Sequence, residues 1–268
     1  MTTPRTPAPA LTTPAPDATA PVLHQVPTPG TALWVSAHPH ADSLNGALTR
    51  AGVEELSTRR EVATSDLYAQ GFDPALRPAE LGPLGERALS DEVREEQRKL
   101  ASAELLILQF PLWWYGTPAI LKGWLDRVLT EGFAYGDLDP ELGVPRRYGD
   151  GGLAGRRALV VVSAGEDANS IGPRGISGDL DAILFPLTHG TLWYVGIEVL
   201  DLHVITDADG LDPAAVARET DRLRARVRGL DEERPVPYRR LRDGEYAGTR
   251  ALREDLLPGR TDLAIHRR

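Results

Sequence analysis

The chain has 268 residues, a formal net charge of −9 and no cysteine. The lack of cysteine excludes disulfides, thiolate nucleophiles and cysteine metal sites, and it fits a cytoplasmic protein. The negative charge argues against nucleic acid as the main partner, because phosphate binding needs a clustered Lys/Arg face. No stretch approaches the roughly 20 apolar residues of a membrane-spanning helix, so we expect no membrane span.

Composition divides the chain into three parts. Residues 1–30 are mostly Pro, Thr and Ala. Such a segment cannot bury enough apolar surface to offset the entropy lost on ordering, so we predict a disordered tail. Residues 31–230 carry alternating strand and helix patterns and form one predicted domain. The polar residues 231–268 follow it.

The strand patterns predict a doubly wound α/β fold. Five predicted strands, in chain order, cover residues 31–36, 61–68, 104–110, 157–163 and 197–204. The first, third and fourth are almost continuously apolar, as buried parallel strands are, whereas the second and fifth mix polar and apolar residues, as edges do. We therefore predict a flavodoxin-like sheet of five parallel strands in the order 2-1-3-4-5, with helices on both faces.

Helical patterns lie between and after these strands, over residues 45–56, 89–103, 117–130, 176–187 and 212–227. Thr117 is the predicted cap of the third helix, with Pro118 at its first position. Its apolar stripe consists of Ile120, Leu121, Trp124, Leu125, Val128 and Leu129. The next stripe consists of Ile176, Leu180, Ile183, Leu184 and Leu187, and the last helix has an Asp-Pro start and an apolar face of Val216, Leu223 and Val227.

In such sheets ligands bind at the carboxyl ends of the strands, at the switch point between strands one and three. The loop after strand one reads "SAHPHADSLNGALT". Ser43 or Asn45 can cap the following helix, whose free backbone N–H groups favour an anion such as a phosphate, and His38 and His40 add donors. Many strand-to-helix turns have this composition and bind nothing, so this loop alone leaves both interpretations open.

The loop after strand three, "FPLWWYG", is strongly aromatic. Trp113, Trp114 and Tyr115 would line a cleft with flat apolar surface that suits a planar aromatic ligand. The alternative is a core role, which we expect for Trp124 on its helical stripe. The core interpretation is weaker for the adjacent Trp113 and Trp114, because the side chains of neighbouring residues in an extended segment point in opposite directions.

The loop after strand four, "SAGEDANSIGPRGISGD", has glycines that allow close approach of backbone to a ligand, although an ordinary long connection is the alternative. The three loops converge on one edge of the sheet, and together they predict a flavin nucleotide site. We predict no metal site, since His189, His203 and His266 are scattered without ligand spacing.

The stretches "QFPLWWYGTPAILKGW", "GISGDLDAILFPLTHGTLWYVGIEVL" and "HPHADSLN" resemble the NAD(P)H:quinone oxidoreductase (DT-diaphorase) family. The resemblance covers most of residues 31–240. It implies a flavodoxin-like fold, FAD rather than FMN, NADPH or NADH as reductant, a quinone-like acceptor and a homodimer. It also implies that residues 231–268 are an extension that packs on the domain or on the dimer partner.

Carried over by position, the resemblance assigns one set of residues to the flavin. It assigns Tyr135 to the substrate, and Trp113 to both. The flavin set is His38, Ser43, Leu44, Asn45, Pro111, Leu112, Trp113, Trp114, Tyr115, Ser163, Ala164, Gly165 and Glu166.

One departure concerns the reaction. The family's Tyr and His, thought to relay charge, correspond here to Ile171 and Ser177, and "SAGE" stands where the family more often has Thr-Thr-Gly-Gly. Ser177 is therefore the candidate catalytic residue, as a hydrogen-bond donor.

Three hypotheses follow. The first is a flavoenzyme that passes two electrons from NAD(P)H to a quinone or a similar planar acceptor. The second is a non-enzymatic flavoprotein, either an electron carrier or a nicotinamide-sensing regulatory subunit. The third is a fold kept without a cofactor, against which the intact "QFPLWWYG" stretch argues. The sequence does not distinguish NADH from NADPH and does not name the acceptor.

Overall fold

The computed structural model describes residues 26–82, 85–141, 143–246 and 250–268. Residues 1–25, most of the predicted disordered tail, lie outside the described residues. The proposed domain boundaries stay predictions. The predicted extension does contact the main domain: Val236 N–H donates to the Val199 carbonyl (2.8 Å), and the Tyr238 side chain is buried in the core.

The described strands form one parallel sheet in the order β2-β1-β3-β4-β5, with β6 also paired to β4. This confirms the predicted order 2-1-3-4-5. The strands are β1 (Thr31–Ser36), β2 (Glu61–Asp66), β3 (Leu105–Pro111), β4 (Arg157–Ser163), β5 (Glu198–Val199) and β6 (His203–Ile205).

The fifth predicted strand, residues 197–204, is not continuous. β5 pairs with the start of β4 and β6 pairs with its end. Between them, the carbonyls of Asp201 and Leu202 accept hydrogen bonds from the Arg226 guanidinium (2.5 and 2.8 Å). The register also shifts by one residue between the two pairings, since Ala158 is paired with Val199 but Val161 with His203, and the sheet therefore has six strands instead of five.

The helices lie close to the predicted positions, although the fourth predicted helix is broken. They are α1 (Leu44–Leu56), α2 (Asp91–Ser102), α3 (Ala119–Val128), α4 (Leu180–Ile183), α5 (Phe185–Leu187) and α6 (Pro213–Gly229). A π-helical turn (Thr188–Trp193) and short 3-10 helices (Pro78–Glu80, Leu241–Asp243 and Leu263–His266) complete the described elements. No helix among them is long and apolar enough to cross a membrane.

Two helix predictions were wrong in detail. Thr117 does not cap α3: Pro118 is the N-cap, in an extended conformation, and its carbonyl accepts from the N–H groups of Leu121 and Lys122. Ile176 does not belong to the stripe it was assigned to. It is 96% exposed, because Gly178 adopts a positive φ and the helix begins only at Leu180, after its Asp179 cap.

Two apolar layers cover the two faces of the sheet, as predicted. One layer joins the sheet to α2 and α3 and contains Leu100, Leu121 and Trp124. The other joins it to α1 and α6 and contains Trp34, Leu48 and Leu223. The α3 stripe is buried as expected except for the half-buried Leu129, and Trp124 is a fully buried core residue.

A buried ion pair anchors α3. The Arg127 guanidinium is fully buried and donates to Glu80 (Nη2 to Oε1, 2.7 Å), which is itself 1% exposed, and to Glu92 (2.6 Å). It also donates to the Asp73 carbonyl. Since two opposite charges are desolvated together, removing one leaves the other without compensation.

We expect Arg127→Met to lower the free energy of unfolding by about 3–5 kcal/mol, because Glu80 would remain buried without its partner. Urea denaturation measures this change. Lys122→Met on the same helix is the matched control: its pair with Asp126 is largely exposed, and its loss should cost less than about 1 kcal/mol. Equal effects of the two changes would contradict the role of the buried Arg127–Glu80 pair in stabilising the fold.

Candidate active site

A cavity of about 230 Å³ opens at the carboxyl ends of β1, β3 and β4, the edge where the sheet order reverses. It brings together residues from all three predicted loops. Its lining consists of His38, Ser43, Leu44, Asn45, Pro111, Leu112, Trp113, Ser163, Gly165, Ala208 and Asp209. The position is the one that open α/β sheets use for ligands.

One side of the cavity is the start of α1. Ser43 is the N-cap: its Oγ accepts from the Gly46 N–H (3.2 Å) and donates to the His40 carbonyl (2.6 Å). The N–H groups of Leu44 and Asn45 occupy the first helical turn, where no earlier carbonyl of the helix can accept them. These donors and the helix dipole make this side favourable for an anion.

Two neighbours shape this helix start. A Cβ at Gly46 would lie 1.9 Å from the Ala41 carbonyl oxygen, so the tight approach of the loop requires glycine. The His38 ring Nδ1 lies within 3.2 Å of the His40 N–H, the His40 carbonyl oxygen and Ser43 Oγ, so the ring is held against the turn that starts the helix. The His38 ring centroid is 6.2 Å from that of Trp113, so the two rings are neighbours on the cavity wall.

The aromatic turn after β3 is not extended, contrary to our argument from alternating side chains. Gly116 N–H donates to the Trp113 carbonyl (3.1 Å), and Trp114 and Tyr115 both have positive φ (50° and 58°). Trp113 lines the cavity and is 42% exposed, whereas Trp114 is 97% exposed. The aromatic residues are therefore surface groups, and positive φ at two successive aromatic residues is costly backbone conformation of the kind found at functional sites.

The loop after β4 forms the opposite side. Ser163 and Gly165 line the cavity, while Ala164 is buried, with its N–H bonded to the Ile205 carbonyl (2.8 Å). A Cβ at Gly165 would lie 2.3 Å from the Asp209 carboxylate, so a larger residue there would displace the Asp209 side chain. Asp209 and Ala208 follow β6 and were missed, although the carboxyl end of a fifth parallel strand must reach this same edge.

Glu166, Tyr115 and Ser177 form a hydrogen-bonded group beside the cavity, which we call the mouth cluster. Tyr115 Oη donates to Glu166 Oε1 at 2.5 Å and lies 3.3 Å from Ser177 Oγ. Hydrogen bonds from Ser177 and Tyr115 hold the pKa of Glu166 below its usual value. The candidate catalytic Ser177 is therefore joined to two residues that had been assigned only to the flavin.

A buried polar network lies beneath the cavity, centred on Gln109 of β3. Its Oε1 accepts from Trp34 Nε1 and Thr49 Oγ1 (both 2.9 Å), and its Nε2 donates to the Asn45 carbonyl (2.7 Å). Asn45 Nδ2 in turn donates to Ser163 Oγ (2.9 Å). Sequence reasoning missed Gln109, although a lone glutamine in an otherwise apolar buried strand was the available signal.

Tyr135 does not line this cavity. It packs in the main core beside Tyr194, with ring centroids 6.1 Å apart, and burial raises its pKa. His203 and His189 are buried, and desolvation lowers their pKa values to about 3 and about 4. Within the described ranges, no cluster of three His, Cys, Asp or Glu residues could hold a metal ion.

Known proteins share both the fold and the sequence. A family model described as a flavodoxin-like fold matches residues 31–227. A ribosyldihydronicotinamide dehydrogenase-like protein of Penicillium crustosum is 39% identical over 235 residues, covering 80% of this chain and 86% of that protein. The NAD(P)H dehydrogenase [quinone] 1 of Rattus norvegicus is 33% identical over 225 residues, covering 77% and 80%.

A solved structure shows the same similarity in fold and in sequence. A Klebsiella pneumoniae protein, provisionally described as a quinone reductase, superposes with a TM-score of 0.83 at 38% identity, covering 89% of this chain and 99% of that one. Fold and cavity thus define a flavodoxin-like α/β protein. Within that class, the chain belongs to the NAD(P)H:quinone oxidoreductase family.

The Gln109 network yields a prediction on stability. Gln109→Leu leaves the buried Trp34 Nε1 without its partner and removes one of the donors to the Asn45 carbonyl, and we expect it to lower the free energy of unfolding by about 2–4 kcal/mol. Urea denaturation measures the change. Thr49→Val, which removes one donor and leaves Gln109 its other bonds, should cost about 1 kcal/mol. A neutral Gln109→Leu would mean that the network is dispensable.

Proposed function

We propose that the protein is a flavin-dependent NAD(P)H dehydrogenase that passes two electrons from NADPH or NADH through FAD to a quinone or a similar planar acceptor. The observation that carries the proposal is the convergence of the α1 start, Trp113 and the Ser163–Gly165 loop on one cavity at the switch point. Membership of the quinone oxidoreductase family supports the same reaction class.

The residues present fit a flavin nucleotide. The N–H groups at the start of α1 suit phosphate oxygens, and Trp113 offers half-exposed aromatic surface to a planar ring. Gly46 allows the close approach of the Ala41 backbone, and Gly165 leaves room for the Asp209 side chain. Ser163 and Asp209 place hydroxyl and carboxylate oxygens on the cavity wall, which suit the hydroxyl groups of a sugar or ribityl chain. The volume is below the usual 300–1,000 Å³ of small-molecule sites, so we expect part of the nucleotide to lie over the open mouth.

The flavin, when bound, supplies the two-electron chemistry. The chain supplies position and environment. The Gln109 network fixes Asn45 against Ser163, so that the α1 start and the β4 loop keep a constant separation. Trp113 and His38 limit the ring plane from one side. In place of the family's Tyr and His pair, Ser177 and Tyr115 bring hydroxyl groups to the mouth.

The alternative of a non-enzymatic flavoprotein is not favoured, because the relatives are named as dehydrogenases and quinone reductases. The name of one relative adds dihydronicotinamide riboside to the reductants worth testing. The homodimer and the cytoplasmic location stay predictions. Since Tyr135 lies outside the cavity, its predicted contact with substrate would require a second copy of the chain.

The test of the proposed function is anaerobic reduction. The full chain is saturated with FAD, and NADPH, NADH or dihydronicotinamide riboside is added while the flavin absorption band is followed. We expect rapid bleaching that a quinone reverses. Bound flavin that stays oxidised with every reductant would contradict the proposed dehydrogenase activity and would favour a carrier or regulatory role. A colourless protein that does not take up FAD would contradict both.

Ser177→Ala tests the predicted catalytic residue. We expect a modest loss of turnover, about fivefold or less, since the change removes one hydrogen-bonding hydroxyl group, which is worth about 1 kcal/mol. Steady-state kinetics with NAD(P)H and a quinone measure it, with flavin content as the control. A complete loss of turnover with flavin retained would instead show that Ser177 has taken over the family's relay.

A further inference from the structure

The mouth cluster has a feature that the proposed reaction does not explain: its protons all point toward Glu166. Tyr115 has one hydroxyl proton and donates it to Glu166 Oε1 at 2.5 Å. Ser177 Oγ lies 3.3 Å from the Tyr115 oxygen, and its hydroxyl is directed at Glu166 as well. A carboxyl group that accepts such bonds is stabilised in its ionised form.

The cluster is therefore a fixed negative charge and not a source of protons. Hydrogen bonds from Ser177 and Tyr115 keep the pKa of Glu166 low, so that it is a carboxylate at neutral pH. Two further acids lie near it, Asp167 next in the chain and Asp209 on the cavity wall. In the part of the chain that the structure describes, no Arg or Lys forms a recorded ion pair with any of these three carboxylates.

The position of Glu166 is set by both loops that border the cavity. It follows the cavity-lining Gly165, and its partner Tyr115 lies two residues after the cavity-lining Trp113. The Tyr115 hydroxyl holds the carboxylate from a turn whose backbone has positive φ at two successive residues.

We propose that Glu166 is a fixed charge at the mouth of the flavin cavity that lowers the reduction potential of the bound flavin and selects uncharged or cationic acceptors over anionic ones. The inference rests on the proposed function. Reduction adds two electrons to the flavin, and protons neutralise only part of this negative charge. A nearby carboxylate makes the remaining negative charge less favourable, which lowers the reduction potential. The same field repels an anionic acceptor as it approaches the mouth.

The proton balance of the reaction agrees with this role. A quinone takes up two electrons and two protons to become a hydroquinone. NAD(P)H supplies the two electrons and one proton as a hydride, and solvent supplies the second proton. The ionised Glu166 has no proton to give, so its contribution is electrostatic, and Tyr115 and Ser177 are the residues that position it.

Glu166→Gln is the sharpest variant, because the amide oxygen can still accept from Tyr115 while the charge is lost. The full chain loaded with FAD is equilibrated anaerobically with a reference dye, and the flavin potential is read from the spectra. We expect a rise equivalent to about tenfold in the reduction equilibrium, the size expected of a unit charge at about 10 Å in an effective dielectric of about 20, or about 30 mV for a two-electron couple.

Acceptor preference provides the second readout. The ratio of kcat/KM for a sulfonated quinone to that for its uncharged parent should rise by about tenfold in Glu166→Gln. Tyr115→Phe keeps the carboxylate but removes the bond that holds it, so both readouts should move in the same direction as in Glu166→Gln and less far. Glu232→Gln neutralises an exposed acid after α6 and serves as the remote control. Should the Gln variant lose FAD, Glu166→Ala removes the same charge.

The outcomes separate the two proposals. If wild-type flavin is not reduced, the proposed function fails. If wild-type flavin is reduced but Glu166→Gln changes neither the potential nor the acceptor ratio, the role of Glu166 is overturned while the function stands. The role is also overturned if Asp209→Asn moves both readouts and Glu166→Gln does not, or if Tyr115→Phe moves them as far as Glu166→Gln does.

Discussion

The buried side chain of Gln109 is the constraint on which the rest of the site depends. A buried amide must find partners for both its donors and its acceptor, or its desolvation is uncompensated. Gln109 finds them in Trp34 of β1, in Thr49 and Asn45 of α1 and, through Asn45, in Ser163 at the end of β4. One residue of β3 thereby fixes the relative positions of both loops that line the cavity, and the cavity floor is rigid for that reason.

The mouth of the cavity is built differently from its floor. Trp114 and Tyr115 have left-handed backbone conformations that cost of order 1–3 kcal/mol each, and such conformations persist only where surrounding contacts over-determine them. The bond from Tyr115 to Glu166 is one such contact, and it crosses from the β3 turn to the β4 loop. The Gln109 network holds the floor of the cavity, and the bond from Tyr115 to Glu166 holds the aromatic turn. A flat ligand can therefore bind between them without a change in the sheet.

The sequence predicted those parts of the fold that follow from local pattern. Continuous apolar runs identified the central strands, edge polarity gave the strand order, and the Ser43 and Asp212 caps were visible as short motifs. The errors arose where a distant residue decides the outcome. The fifth strand shifts register by one residue, Asp209 reaches the cavity from beyond β6, and Gln109 finds its partners on other elements. Local pattern can mark such residues as unusual, but it does not identify the residues that they contact.

The two ends of the cavity carry opposite electrostatic character, and this asymmetry gives the site a direction. At one end the N–H groups and dipole of α1 favour negative charge, while at the other the ionised Glu166 disfavours it. A flavin nucleotide has the matching asymmetry, with anionic phosphates at one end and a neutral oxidised ring at the other. The proposed orientation therefore puts the phosphates at α1 and the ring at the mouth. Because the ring would gain negative charge only on reduction, the proposed role of Glu166 needs no cost to binding of the oxidised cofactor, and the carboxylate would make the reduced cofactor a stronger electron donor.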